Sequence, residues 1–214
     1  MASVAFSAGD VVYRPGGPIR HVYFPYRGAF SLLAAMPDGR AVEAGSVGSD
    51  GVLGLSAFHG AVRSRAEVVC QFSPSAAWRM AGDAFQREAG RPGPLRDLLH
   101  SYTRVLFDRV SLAVACGVLH PAPQRCATWL LLAWDRAEAA EFDVTHEHMA
   151  RLLGMRRATV TDAAGKLQAS GAIAYRHGRV CVLNRTRLEA AACECYRGAQ
   201  VDFDGPTLTR PNGG

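Results

Sequence analysis

The sequence has almost no lysine and no long hydrophobic run. Of the 24 basic residues among its 214, only Lys166 is a lysine and the others are arginines. No stretch approaches the ~18 consecutive apolar residues that a transmembrane helix requires, so we expect no membrane partner. The N-terminus, MASVAFSAGD, has neither the basic segment nor the apolar segment of a secretory signal peptide. We therefore expect a cytoplasmic protein.

Cysteine is absent from the first 69 residues, and none of the six cysteines forms a C-x-x-C pair. This absence excludes an N-terminal iron-sulfur cluster and argues against a zinc ribbon. Cys193 and Cys195 have the wrong spacing for a standard zinc knuckle. We expect reduced thiols and assign no metal ligand, with a thiol switch at this pair left open. The sequence also lacks a nucleophile elbow, a phosphate loop and a spaced acid/base pair, so we expect no enzyme.

Residues 1–90 alternate between short apolar runs and turn-forming residues. Turn chemistry recurs at residues 14–18, 27–28, 37–39 and 45–54, the last with four glycines. Pro-Asp-Gly at 37–39 lies between two apolar runs and predicts a hairpin. Many short strands at this spacing predict a small antiparallel barrel or roll.

Residues 91–120 change to a helical periodicity. Pro94 suits the first turn of a helix and Pro121 ends it, which gives a helix of ~26 residues. A sustained seven-residue repeat favours a partner helix, so we predict a dimer interface here. A long core helix on the roll is the alternative. The predicted interface residues are Leu98, Leu99, Val105, Leu106, Leu112, Ala113 and Leu119. A second helix, about 122–140, is apolar on nearly every side and is predicted to be buried.

Residues 145–171 have the pattern of two short helices joined by a tight turn. Thr145 can cap a helix over 146–153 that Gly154 ends. After three residues a second helix runs over 158–170, and Gly171 ends it. Two helices so closely joined form a helix-turn-helix, whose second helix can enter the major groove of DNA.

Two apolar runs, 172–176 and 179–183, flank His177-Gly178 and predict a two-residue hairpin beside the helix-turn-helix. Such a hairpin is a wing that can contact phosphates. The net charge of +5 is concentrated here, because residues 145–188 carry eight basic and two acidic side chains. Arg157 is expected to bind guanine through two hydrogen bonds, while Asp162 either accepts from cytosine or pairs with Lys166. The predicted DNA-binding residues are Arg156, Arg157, Thr159, Thr161, Asp162, Lys166, Arg176, His177 and Arg179.

Taken together, these segments resemble the Crp/Fnr family of bacterial transcription regulators. The likeness is carried by residues 21–25, 27–28, 38–40 and 47–54 in the roll, by the long helix, and by 145–183, above all 153–161. The resemblance implies an α+β chain: an antiparallel β-roll of the cyclic-nucleotide-binding, cupin-like type, a long dimerisation helix and a winged helix-turn-helix. It also implies a homodimer that reads a two-fold symmetric operator and, if it is an activator, contacts RNA polymerase.

The sequence departs from the family pattern where cyclic nucleotides bind. The glycine-rich turn, residues 48–51, lacks the glutamate that would hold the ribose, and residues 63–66 lack the Arg-Ser/Thr-Ala order. We therefore do not expect cAMP, and the small-molecule or redox effector is unknown. Haem is left open, because four histidines in the first 120 residues are available as ligands: His21, His59, His100 and His120.

The sequence therefore predicts a sensor domain over 1–90, a dimerisation helix over 91–120, a DNA-binding domain over 121–198 and a tail over 199–214. Its partners would be double-stranded DNA and a second copy of the chain. The alternative function is a ligand-binding β-roll protein whose C-terminal domain mediates protein contacts.

Overall fold

A computed structural model describes residues 1–137 and 139–200 of the chain. Most of the predicted tail, from residue 201 onward, lies outside the described residues. Within the described part, no helix combines the length and the apolar character needed to cross a bilayer.

The N-terminal part is a roll of two antiparallel sheets. Its strands are β1 Ala2–Phe6, β2 Val11–Tyr13, β3 His21–Arg27, β4 Phe30–Ala35, β5 Ala41–Val47, β6 Glu67–Cys70 and β7 Ser75–Ala81. One sheet has the order β1-β7-β3 and the other the order β2-β6-β4-β5. The predicted hairpin joins β4 to β5, where Ala35 pairs with Ala41 and Gly39 takes a positive φ of 86°. The predicted antiparallel β-roll is confirmed.

Helices follow the roll for most of the remaining chain. They are α1 Gly82–Ala89, α2 Pro94–Leu119, α3 Ala122–Ala137, α4 His146–Leu153, α5 Arg157–Ala169, α6 Arg185–Ala191 and α7 Cys195–Gly198. A small C-terminal sheet is formed by β8 Glu141–Asp143, β9 Ile173–Arg176 and β10 Arg179–Val182. Helix α2 has the predicted length, since it spans 26 residues and begins at a proline. The α+β fold class is confirmed.

Two hydrophobic clusters use opposite faces of the four-stranded sheet. Inside the roll, Phe30 and Leu53 pack with Phe85, and α2 adds two residues to this cluster. On the outer face, Leu33 and Phe72 join a cluster that continues through α3 and the C-terminal domain. Strand β4 contributes to both clusters because successive strand residues point to opposite faces. The C-terminal domain is therefore packed directly on the roll.

Helix α2 buries part of the predicted dimer interface within its own chain. Leu99 and Val105 are nearly inaccessible, with 3% and 2% of their surface exposed, and Leu99 packs in the hydrophobic cluster inside the roll. Leu98, Leu106, Leu112 and Ala113 are half-buried, and only Leu119 of the seven is exposed. The seven-residue repeat thus also reflects packing within the single chain. The prediction that Leu99 and Val105 contact a second copy is corrected, because both side chains are already buried.

A different stripe of α2 is free. Phe107, Ser111, Val114 and Val118 are exposed, and they follow one another at intervals of four, three and four residues. Phe107 and Val118 have 70% and 80% of their surface accessible. Alternating intervals of three and four are those of a coiled-coil seam. We name these four residues the α2 stripe.

Glu43 on β5 places a carboxyl group in the contact between the roll and α3. Its Oε2 accepts hydrogen bonds from Ser31 Oγ at 2.5 Å, Gln71 Nε2 at 3.0 Å and Trp129 Nε1 at 3.4 Å. Burial raises the pKa of Glu43 above its ordinary value of 4.5, and the three donors and Arg136 offset this only in part. The packing of the domains therefore favours the protonated acid.

We expect Glu43→Gln to stabilise the protein at alkaline pH. A group whose pKa rises on folding contributes stability that is present below pH 4.5 and is lost as pH rises through the folded pKa. At pH 5 the melting temperature of the variant should be close to that of the wild type, because the amide oxygen can still accept the three hydrogen bonds. At pH 8 it should be higher than that of the wild type, because glutamine carries no charge to bury. The exposed Glu88→Gln should show no such difference in a thermal melt. A Glu43→Gln protein less stable than the wild type at pH 8 would contradict this reasoning.

Candidate nucleic-acid interface

The two helices α4 and α5 form the predicted helix-turn-helix. Thr145 Oγ1 accepts a hydrogen bond from His148 N at 3.1 Å, which caps α4 as expected. Gly154 ends α4 in the left-handed conformation with φ 63°, and a Cβ there would lie 3.0 Å from Val42 of the roll. The backbone conformation thus favours glycine, and any larger residue would also crowd the neighbouring domain. Helix α5 begins at Arg157, one residue before the predicted start.

Helix α5 buries one face and exposes the other. Val160, Ala163, Ala164 and Leu167 are buried against the outer hydrophobic cluster or beside it. The predicted DNA-binding residues of this region all lie on the exposed side: Arg156, Arg157, Thr159, Thr161, Asp162 and Lys166.

Some of these residues already have partners within the chain. Lys166 Nζ is 2.8 Å from Asp162 Oδ2, so the pair one helical turn apart is formed. Thr161 Oγ1 donates to Arg157 O at 3.0 Å and lies 3.0 Å from His146 Nδ1. A base contact in which the Thr161 hydroxyl donates would require its bond to Arg157 O to break. The side chains of Arg157 and Thr159 have no such bond in the described part of the chain.

His146 links the first helix of the motif to the wing, a role that sequence reasoning did not find. Its ring lies against Tyr175 of β9 with centroids 4.2 Å apart. Burial and the nearby Arg157 lower the pKa of His146, which favours the neutral ring. In the sequence, the one indication of this contact was an aromatic residue, Tyr175, shortly before the predicted hairpin turn.

The wing is the predicted two-residue hairpin. Arg176 pairs with Arg179 across the turn, and His177 and Gly178 have φ values of 51° and 80°. Positive φ at both central residues is typical of a type I′ turn. The side chains of Arg176 and His177 are exposed.

Arg179, which the sequence predicts as a phosphate contact, has acidic partners within the chain. Its guanidinium is 3.0 Å from Asp143 Oδ1 and 3.2 Å from Glu141 Oε1, both on β8. Strand β8 pairs with β10 and places these carboxylates beside the arginine. The short strand β8 was not predicted, so neither was the pairing. In this structure two acidic groups offset the charge of Arg179.

The other basic residues of 145–188 also divide into those with acidic partners and those without. Arg151 pairs with Glu67 of the roll at 2.7 Å, and Arg185 pairs with Asp135 at 2.9 Å. By contrast, the side chains of Arg156, Arg157 and Arg176 form neither an ion pair nor a hydrogen bond with any residue that the structure describes, whereas Arg187 donates to Ser170 O at 3.0 Å. We name these three the open arginines.

In the roll, the glycine-rich turn binds α2. Asp50 Oδ2 is 2.7 Å from Arg109 Nη2, and although burial opposes it, Arg136 and Arg109 hold the pKa of Asp50 below its ordinary range. A Cβ at Gly51 would lie 2.2 Å from the Tyr102 hydroxyl, so this side chain fills the space beside the turn. Arg63 Nη1 donates to Gly16 O at 2.7 Å. Asp50 and Arg63, two charged groups near the expected cyclic-nucleotide position, are thus engaged within the protein.

A cavity of about 350 Å³ lies between β5, α2 and α3. Arg109 and Arg136 line it together with apolar side chains such as Leu132. Nε and Nη1 of Arg109 are buried and have no hydrogen-bond partner among the described residues. The cavity therefore combines apolar walls with unused cationic donors.

Comparison with known proteins supports both domains. Residues 124–191 match the family described as the Crp-like helix-turn-helix domain, and residues 3–91 match the cyclic nucleotide-binding domain. The nitrogen fixation regulation protein FixK of Bradyrhizobium diazoefficiens is 28% identical over 200 residues, which cover 88% of this chain and 81% of that protein.

Solved structures show the same fold. The structure of FixK2 from Bradyrhizobium japonicum superposes with a TM-score of 0.73 at 19% identity, over 90% of this chain and 97% of that one. A CRP/FNR-family transcriptional regulator from Thermus thermophilus gives a TM-score of 0.70 at 23% identity, over 89% and 98%. With a nucleotide-binding-type roll, a long helix and a Crp-like helix-turn-helix in this order, the chain belongs to the Crp/Fnr family of DNA-binding transcription regulators.

Proposed function

We propose that the chain acts as a homodimer whose two α5 helices enter successive major grooves of a two-fold symmetric operator. The observation that carries this proposal is the position of the open arginines. They lie at the start of α5 and on the wing, the two elements that a winged helix-turn-helix presents to DNA. Arg157 would contact guanine, while Arg156, Arg176 and His177 would contact phosphates.

The α2 stripe is proposed as the dimer contact. It lies on the side of α2 opposite Leu99 and Tyr102, which pack in the hydrophobic cluster inside the roll. A second α2 packed on Phe107, Val114 and Val118 would bury three large apolar side chains that a single chain leaves in water. Leu119, at the end of the helix, would extend this contact.

The roll would sense an unknown effector that changes the relation between α2 and the DNA-binding domain. The cavity beside Arg109 is where the chain offers unused donors between these parts. If the protein activates transcription, RNA polymerase would be a further partner.

A protein-interaction role for the C-terminal domain is the alternative. Salt-dependent binding to duplex DNA separates the two functions, because phosphate contacts release counterions and a protein partner has no condensed counterion layer of that kind.

We expect Arg157→Ala to reduce discrimination between operator and random duplex more than it reduces binding to random duplex. A bidentate contact to guanine contributes about 1–3 kcal/mol of discrimination, or roughly 5- to 150-fold. Fluorescence anisotropy with both duplexes at one salt concentration measures the ratio. Arg156→Ala, next in the sequence, should weaken both complexes alike. The base-reading role of Arg157 is wrong if both variants lower the two affinities equally.

We expect Arg176→Ala to make DNA binding less dependent on salt. Each phosphate contact contributes about 0.9 to the slope of log affinity against log salt, so a dimer should lose about twice that. Arg87→Ala removes the same charge from α1 of the roll and should leave the slope unchanged. Equal slopes for Arg176→Ala and the wild type would reject the wing contact.

We expect Val114→Arg to convert the dimer into a monomer. Because each copy contributes one arginine, the substitution places two like charges in an apolar contact, where neither has a partner. Light scattering after gel filtration should give twice the 22.9 kDa chain mass for the wild type and one chain for the variant. Val62→Arg, at an exposed valine of the roll, is the matched control and should stay dimeric. A dimeric Val114→Arg protein would show that the seam lies elsewhere.

A further inference from the structure

Three cysteines and a histidine meet where α2 ends. Cys116 is in the last turn of α2, and His120 is the residue that directly follows the helix. Cys193 lies between α6 and α7 and Cys195 begins α7, more than 70 residues further along the chain. Their ligand atoms, three Sγ and one imidazole nitrogen, all lie within 4.8 Å of one another. We name these four residues the Cys3His cluster.

Two of the six distances between ligand atoms in the cluster match those of a tetrahedral site. Cys116 Sγ is 3.6 Å from Cys193 Sγ, and Cys195 Sγ is 3.6 Å from His120 Nδ1. A zinc ion binds sulfur at about 2.3 Å and imidazole nitrogen at about 2.0–2.1 Å. Ligands at the corners of such a tetrahedron are roughly 3.5–3.8 Å apart, which follows from those bond lengths. Both distances have this length.

Neighbouring polar groups orient two of the ligands. His120 Nε2 lies 3.2 Å from Glu194 Oε1, which favours the proton on Nε2 and leaves the Nδ1 lone pair toward the sulfurs. This is the carboxylate–histidine arrangement found around zinc sites. Thr128 Oγ1 accepts from Cys193 N at 3.1 Å and is 3.1 Å from Cys193 Sγ, so its hydroxyl proton can be donated to that sulfur.

We propose that the Cys3His cluster binds one zinc ion. Three thiolates and one imidazole in a closed tetrahedral set are a ligand combination of structural zinc sites, and thiolate donors disfavour magnesium and calcium. Binding displaces the thiol protons into the solvent, and no electron transfer is needed.

The ion would join the end of α2 to the segment after the DNA-binding domain. The helix-turn-helix and its wing lie between the two pairs of ligands in the sequence, so the metal would close a loop around the whole domain. It would hold that domain against the long helix independently of DNA. Spacing along the sequence did not predict the site, because Cys193 and Cys195 lie more than 70 residues after the other two ligands.

Metal titration of the whole 214-residue chain tests this site directly. The reduced, metal-free chain is titrated with Zn²⁺ and, separately, with Co²⁺ under anaerobic conditions. We expect one ion per chain, together with the intense visible absorption and the sulfur-to-cobalt charge transfer of four-coordinate Co²⁺ bound to thiolates. Zn²⁺ should also raise the melting temperature, since a metal that binds only the folded state stabilises it.

Variants separate the site from general effects on folding. Cys193→Ser should lose the cobalt spectrum, and Cys181→Ser, at a half-buried thiol of the wing, should keep it. Glu194→Gln changes only an exposed side chain, so it should fold normally and bind Zn²⁺ about 10- to 100-fold more weakly in competition with a chromophoric chelator.

The proposal is overturned if the folded wild type binds neither ion at stoichiometric level. A Cys116–Cys193 disulfide that forms in mild oxidant, in a chain without metal affinity, would instead assign the cluster to a thiol switch. Because these measurements contain no DNA, their outcome is separate from that of the proposed operator binding.

Discussion

The organisation of the molecule depends on the two faces of α2. One face is buried in the roll through Leu99 and Tyr102, and this contact completes the inner hydrophobic cluster. The opposite face carries the apolar α2 stripe, which the single chain leaves in water. A helix buried by its own sheet on one side can transmit a change in the roll to whatever packs on its other side. At its end, α2 passes directly to the DNA-binding domain.

The DNA-binding domain is held to the roll by a second set of contacts. Phe72 of the roll meets Phe142 with ring centroids 5.3 Å apart, and Arg151 of α4 pairs with Glu67 of β6. Glu43 adds a buried carboxyl group to the same contact. Hydrophobic packing, an ion pair and a buried acid thus fix the orientation of the helix-turn-helix. An effector that moved the roll would have to change one of these contacts to alter DNA binding.

Local patterns made much of this arrangement predictable from the sequence. Thr145 and Gly154 mark the two ends of α4, and His177-Gly178 marks the wing turn, because caps and tight turns depend on neighbouring residues alone. Contacts between distant segments were not predictable in this way. The charge of Arg179 is offset by two carboxylates on β8, a strand too short to show a periodicity in the sequence. Leu99 was predicted at the dimer interface because a seven-residue repeat does not reveal which surface covers it.

The Cys3His cluster was not predicted by the sequence rules for metal sites, for the same reason. Those rules read ligand pairs by their spacing along the chain, whereas these pairs meet only after the domain has folded back on α2. Charge gives the opposite case. The excess of basic residues over 145–188 is visible in the sequence, yet only the structure separates the open arginines from those with acidic partners.

Selection of binding sites from random duplex DNA with the full chain tests the central claim most directly. The account predicts enrichment of a two-fold symmetric sequence with half-sites one helical turn apart, about 10–10.5 base pairs centre to centre, or a multiple of it. It also predicts a guanine within each half-site for Arg157. Enrichment of a single asymmetric site, or no enrichment over random sequence, would contradict it.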